Sequence, residues 1–182
     1  STALCPLLIK KLDERKAYIL LSVYGFAASI FSFVIGHFWF QSPDNMVLTV
    51  LFYASLFLIG LQFGAVTLMP MIMTADCVDY YEYETGKRME GAAYSILTLT
   101  IKVCLALGTA VGLIFVQVSG YYDALGAGTF TTKTKDIIFF AYTALPGVLA
   151  LLSIFPMFKY DIVGEKKAQI SAALSQRRAG KE

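Results

Sequence analysis

An all-α polytopic membrane protein with four spanning helices is the fold class that this sequence predicts, on three observations. Of 182 residues, 57% are hydrophobic and 15% charged, too little polar surface to cover a water-soluble fold of this size. Charge is absent from Ala17 to Gly36, Met46 to Ala75 and Ile137 to Phe158, and only Lys102 interrupts Gly91 to Tyr122; each stretch exceeds the ~18 residues of a spanning-helix candidate. The third observation is a lack of period-2 alternation, which argues against a β-barrel. This composition excludes a soluble enzyme, a nucleic-acid-binding domain and a disordered tail, while the net charge of +2 is silent about partners.

Residues 1–16 form an amino-terminal segment ending in the charged run Lys10 to Lys16, and the first span follows over 17–40. Trp39 and its flanking Phe38 and Phe40 suit an interfacial aromatic belt. His37, the only histidine, reads there as a wet amphipathic side chain in preference to a proton relay. After a short external loop over 41–45, the second span covers 46–75, and Pro70 is its expected bend. An acidic and basic loop is expected over 76–91, a third span over 92–120, a glycine-rich external loop over 121–136 and a fourth span over 137–158. Residues 159–182 are a polar tail, helical from Gly164 onward, with a thin apolar stripe of Ile170, Ala173 and Leu174.

Of the 15 Lys and Arg residues, twelve fall in the amino-terminal segment, the 76–91 loop and the tail, two (Lys133 and Lys135) on the opposite side, and one, Lys102, within a span. Positive loops stay on the cytoplasmic side, so both termini are expected in the cytoplasm of a multi-pass inner-membrane protein. Cys5, Cys77 and Cys104 have no close partner or neighbouring histidine and read as small apolar residues rather than a disulfide or metal site. The chain opens on Ser1 with no short signal segment, and is expected to be a piece of something longer.

Lys102 lies eleven residues beyond Gly91, which at ~1.5 Å per residue puts it ~16 Å along the helix, near the centre of a ~30 Å hydrocarbon layer. An ionisable group at that depth costs at least ~2.5–3.5 kcal/mol and is normally turned toward a partner or a wet cavity. Ser95, Thr98, Lys102 and Thr109 share one helix face, a polar stripe that suits the path of a hydroxyl-rich solute or a cation. The plainer reading is a lysine bonded to a neighbouring backbone carbonyl, with hydroxyls bonding between helices. Gly108 and Gly112, a G-x-x-x-G on another face, read as a close helix contact.

The second cluster, Asp76 to Gly91, carries Asp76, Asp79, Glu82, Glu84 and Glu90 with Lys87 and Arg88. If the helix continues past Asp76, the first three carboxylates fall near one face, a spacing that suits Mg²⁺ and a phosphorylated substrate. They equally suit ion pairs that open and close with a conformational change, or a solvated loop with internal pairs such as Glu84 to Arg88.

The order Asp76-x-x-Asp79-Tyr80-x-Glu82-x-x-Thr85-Gly86-x-Arg88-x-Glu90-Gly91-x-x-Tyr94-Ser95, between two spans and followed by Lys102, resembles the glycoside–pentoside–hexuronide:cation symporters of the major facilitator superfamily, the family of the melibiose permease. The segment Pro6 to Lys11 is similar to the basic loop before that family's ninth helix, and Gly120-Tyr121 and Leu145-Pro146 also sit where its members often have them. The resemblance implies that the four spans correspond to helices 9 to 12 of a twelve-helix fold. It implies an alternating-access carrier, with no enzymatic activity and no bound cofactor, that moves a sugar with a monovalent cation (Na⁺, H⁺ or Li⁺). Lys102 matches the family's lysine near the sugar and cation sites, and Thr98 a hydroxyl position one turn before it. Ser95 joins them as a coupling candidate, and the 76–91 residues become a conformational motif. Leu97 stands where melibiose carriers have a glutamine, so the resemblance reaches the transport class and not galactoside specificity. The cation-holding carboxylates of the family lie on amino-terminal helices outside this chain, which leaves no metal site within it and makes those helices, with membrane lipid, its expected partners. Two alternatives stand beside this one: a membrane-embedded metal-dependent enzyme using Asp76, Asp79 and Glu82, or a small four-helix partner subunit.

Overall fold

The computed structural model describes residues 12–179, apart from the side chains of residues 63–66. Cys5 and the basic segment Pro6 to Lys11 therefore lie outside the described residues. The elements are α1 (Glu14–Gln41), α2 (Met46–Thr85), α3 (Glu90–Val118), α4 (Tyr121–Ala127), α5 (Thr132–Tyr142), α6 (Ala144–Leu152), α7 (Ile154–Met157) and α8 (Gly164–Ala179). The helices α1, α2, α3 and the composite α5–α7 are long and apolar enough to cross a membrane. The protein is an all-α polytopic membrane protein.

Helix α1 is the hub of the bundle, and its small residues make it so. Ala17, Ser22, Gly25, Ala28, Ser29, Ser32 and Gly36 are its buried positions besides Glu14, and from Ser22 onward they recur at steps of three and four that keep one stripe inward. Lipid is as apolar as leucine, so helices associate in a bilayer by close backbone approach and hydrogen bonds across small residues. Ser32 and Ser55 share a 2.9 Å hydroxyl bond between α1 and α2. A Cβ on Gly147 of α6 would stand 2.6 Å from Ser29 Cβ. Gly36 leaves room for the Phe139 ring, and Gly25 for the Gln62 side chain. At the end of α1 away from α8, Trp39 stacks on Phe52 with centroids 4.5 Å apart, and its indole N–H donates to Thr49 Oγ1 at 3.0 Å. The expected belt residue is thus also a packing residue.

Helix α2 starts where Asn45 Oδ1 accepts from the amides of Val47 and Leu48 at 3.0 and 3.4 Å, satisfying two first-turn N–H groups. Its 40 residues extend ~60 Å, twice a ~30 Å hydrocarbon layer, so its last turns project beyond the bilayer. The loop expected over 76–91 is helical as far as Thr85 and irregular only over 86–89. Neighbouring cations hold this acidic segment in helical form, a tertiary effect invisible to charge counting. Gly86 ends it with φ 71°, a left-handed cap that glycine adopts without steric cost. Pro70 lies inside the unbroken helix.

The fourth span, expected as one run over 137–158, is three segments starting earlier, at Thr132, with joints at Thr143 and Ser153. Each joint lies three residues before a proline, Pro146 and Pro156, so each proline occupies the third position of a new helix. There its missing N–H is one that a helix start leaves unpaired anyway. The loop expected over 121–136 contains α4, framed by Gly120 at φ 72° and Gly128 at φ 68°. Helix α3 has no buried residue among those described. Among the described residues nothing approaches a Cβ built at Gly108 or Gly112 within 4 Å, so the expected close contact at that G-x-x-x-G is not made by them.

Candidate functional site

Two regions carry the polar chemistry. On α3, an open cleft of about 450 Å³ is lined by Gly91, Tyr94, Ser95, Thr98, Leu99 and Lys102. The helical spacing that places Ser95, Thr98 and Lys102 on one face also places all three in this cleft. The hydroxyls do not bond across helices: Ser95 Oγ donates to Gly91 O at 2.7 Å, Thr98 Oγ1 to Tyr94 O at 2.8 Å and Thr109 Oγ1 to Leu105 O at 2.9 Å. Each thereby spends its only proton on its own helix, four residues back, and keeps lone pairs for the cleft. Lys102 is exposed and has no ion pair or hydrogen bond among the described residues, so the expected bond to a neighbouring carbonyl is not made here. Tyr94 O–H reaches Met71 O of α2 at 3.5 Å.

The second region lies where the projecting end of α2 meets α8. Tyr80 and Tyr83 pack with Tyr160 on Ile162, Ile170 and Leu174, so the apolar stripe expected on the tail is the face by which it docks. Lys167 Nζ lies 2.7 Å from Glu14 Oε1 and 2.7 Å from Asp76 Oδ1. Tyr160 O–H donates to Asp76 Oδ2 at 3.1 Å. Glu14 and Asp76 are buried, which an unpaired carboxylate could not sustain. Burial disfavours the Lys167 ammonium, but its bonds to Asp76 and Glu14 outweigh that and hold its pKa above the ordinary lysine value. Burial and the adjacent Asp76 charge push the Tyr160 phenol up.

Farther along, Arg88 Nη1 lies 3.1 Å from Asp79 Oδ1 and 2.9 Å from Glu82 Oε2, and its Nε 3.0 Å from Glu90 Oε2. Hydrogen bonds to Glu82 and Glu90 raise the Arg88 pKa further above its ordinary range. The left-handed turn at Gly86 folds Arg88 back beside α2, which is why it meets Asp79 and Glu82 rather than the expected Glu84. Thr85 Oγ1 supports that turn, donating to Tyr81 O at 2.7 Å and accepting from the Lys87 amide at 3.3 Å. Glu90 opens α3, where a carboxylate favours the helix dipole. Arg178 Nη2 adds a second cation, 2.8 Å from Glu82 Oε2 and 3.6 Å from Asp79 Oδ1. The Lys166 ammonium lies 5.1 Å over the Tyr80 ring. The carboxylates on which a metal-dependent enzyme would rest are thus divided among three cationic side chains, Asp76 with Lys167 and Asp79 and Glu82 with Arg88 and Arg178.

Sequence reasoning singled out Asp76, Asp79, Tyr80, Glu82, Thr85, Gly86, Arg88, Glu90 and Gly91, but missed Glu14, Tyr160, Lys167 and Arg178. A signal for part of that set exists: Lys167, Ile170, Leu174 and Arg178 step by three, four and four, one face carrying base, two apolar residues and base.

A family profile described as MFS/sugar transport protein matches residues 1–164. The chain belongs to that family. This agrees with the symporter resemblance carried by the 76–95 motif. A relative named "Inner membrane symporter YicJ" of Escherichia coli (strain K12) is 31% identical over 108 residues, 59% of this chain and 23% of that protein. The "Putative sulfoquinovose importer" of the same organism is 26% identical over 179 residues, 96% of this chain and 35% of that protein. The "Uncharacterized 29.9 kDa protein in crtE 3'region" of Pseudescherichia vulneris is 26% identical over 170 residues, 93% of this chain and 60% of that protein. The chain therefore spans between about a quarter and three fifths of these relatives' lengths. No solved structure matches. Within this MFS chain, the cleft at Lys102 and the charged junction of α2 with α8 are separate sites, the first built on one helix face and the second on contacts between distant segments.

Proposed function

We propose that this chain is the carboxy-terminal part, corresponding to helices 9–12, of a secondary active carrier that symports a sugar with Na⁺ or H⁺ across the cytoplasmic membrane. The sugar is of the glycoside, pentoside or hexuronide class. Both termini and the turn at Lys87 and Arg88 lie in the cytoplasm, in keeping with the positive-inside distribution.

The observation that carries the reading is Lys102, a mid-span lysine that shares an open cleft with Ser95 and Thr98 and has no counter-charge among the described residues. Such a charge is tolerated in a bilayer when it faces a wet cavity or a partner, and carriers of this architecture bind substrate and coupling ion at a midplane interface between two halves. The facing wall and its carboxylates belong to helices outside this chain. Lys102 pairs with them and links cation occupancy to sugar binding, while Ser95 and Thr98 offer acceptor lone pairs to sugar hydroxyls. The Asp76 to Gly91 motif acts on the inward–outward equilibrium, being at the rim and not at midplane.

The test is cation-driven accumulation by the complete carrier in vesicles. Lys102→Ala and Lys102→Gln should insert normally yet lose uphill transport, because removing the ammonium leaves acids uncompensated in a low-dielectric cavity. Normal accumulation by either variant would assign Lys102 a structural role only.

A further inference from the structure

At the end of the bundle away from α8, His37 of α1 and Asp136 of α5 meet across 99 residues of sequence, with His37 Nδ1 2.9 Å from Asp136 Oδ2. The second ring nitrogen, Nε2, is 2.8 Å from the Gln41 amide nitrogen one helical turn on. Both nitrogens are therefore engaged, and the side chain read from sequence as a wet interfacial residue is a cross-helix contact. The other carboxylate oxygen, Asp136 Oδ1, is buried with no hydrogen-bond partner among the described residues. The nearby cations do not supply one: Lys135 Nζ lies 6.0 Å over the Phe40 ring, and Lys133, on the same helix turn, has no ion pair among the described residues. Asp44 and Asp123, the other acidic residues on this side of the bundle, likewise have no hydrogen bond or ion pair among the described residues.

We infer that His37, Gln41 and Asp136 form a proton-binding tether that fastens the end of α1 to the start of α5 and loosens when His37 is neutral. A carboxylate with one buried oxygen lacking a partner is held more firmly by a full counter-charge, and among the described residues the titratable group paired with Asp136 is His37. In the neutral ring, Nδ1–H donates to Asp136 while Nε2 accepts from the Gln41 NH₂. On protonation Nε2 also carries hydrogen, and Gln41 meets it by turning its amide to present oxygen. The site thus takes up a proton without leaving either ring nitrogen unsatisfied, and only the attraction across α1 and α5 changes. Protonation places a full positive charge opposite the Asp136 carboxylate, so the tether is tightest in acid and weakens toward alkaline pH.

The experiment uses the complete carrier in nanodiscs, where the medium reaches both faces, with spin labels at Ser42 and Lys133. The inter-label distance distribution should be narrow at about pH 5.5 and broader at about pH 8. His37→Gln, which keeps a polar side chain without a titratable charge, should give the broad distribution at both values, as should Asp136→Asn. Retention of the wild-type pH response by either variant, or a wild-type distribution that does not change with pH, would overturn the inference. A transport assay plays no part in the readout, so failure here leaves the sugar-carrier reading untouched.

Discussion

The Lys167 ammonium of α8 lies 2.7 Å from a carboxylate oxygen of Asp76 on α2, across 91 residues of sequence. That contact, shared with Glu14 at 2.7 Å, joins three separate helices at one charge. Two buried carboxylates and one part-exposed ammonium leave the cluster net negative, so its stability depends on Lys167 more than on either acid alone.

Lys167→Met should release α8 and destabilise the protein by about 1–3 kcal/mol, less than the figure for a fully buried pair because the lysine is part-exposed. Thermal unfolding measures this loss, and protease sensitivity of residues 164–179 reports undocking. Adding Asp76→Asn should return part of the loss, since the variant then buries one charge fewer. A double mutant as unstable as the sum of the two single mutants would show that the pair does not interact.

The docked tail should tolerate a wide pH range. Lys167 has its folded pKa raised above 10.5, so its contribution is complete below 10.5 and is lost as pH rises through the folded value. Asp161, paired with Lys166 at 2.6 Å, has its pKa lowered from 3.8; its contribution is present above 3.8 and lost as pH falls through the folded value. Protection of the α8 amides, corrected for the pH dependence of intrinsic exchange, should therefore stay constant between these limits and fall on the alkaline side as the Lys167 contact is lost.

Neutralising Asp79 or Arg88 in the complete carrier should alter transport rate more than equilibrium sugar binding. Arg88 clasps Asp79, Glu82 and Glu90 at 2.9–3.1 Å, beside the Gly91 end of the cleft and ~18 Å along α3 from Lys102. Rates of zero-trans uptake and binding affinity, measured side by side, separate the two effects. Affinity lost with rates unchanged would count against a latch.

Orientation is decided by labelling engineered cysteines in intact cells with an impermeant reagent. A cysteine at Lys166 should stay unmodified until the cells are opened, and one at Thr129, in the turn after α4, should react at once. The reverse pattern would invert the topology.

The sequence by itself determined that this chain carries four membrane-spanning segments, because bilayer insertion depends on the local sum of apolar residues over some twenty positions, a quantity written in the chain. It also determined that Ser95, Thr98 and Lys102 share one face, since helical periodicity alone decides that. Only the tertiary structure decided what the charges of Asp76 to Gly91 do. Their partners Lys167 and Arg178 lie 91 and 96 residues away, Glu14 shares Lys167 from 153 residues away, and electrostatic pairing acts through distance in space, which sequence separation does not encode. The same holds for α1, where a run of Ser, Ala and Gly gives no strong apolar pattern yet forms the packing seam, because close approach in lipid is governed by the absence of side-chain bulk. His37 and Asp136 complete the contrast: one reads as an interfacial residue and the other as a loop acid, and folding of α5 against α1 makes them a pair.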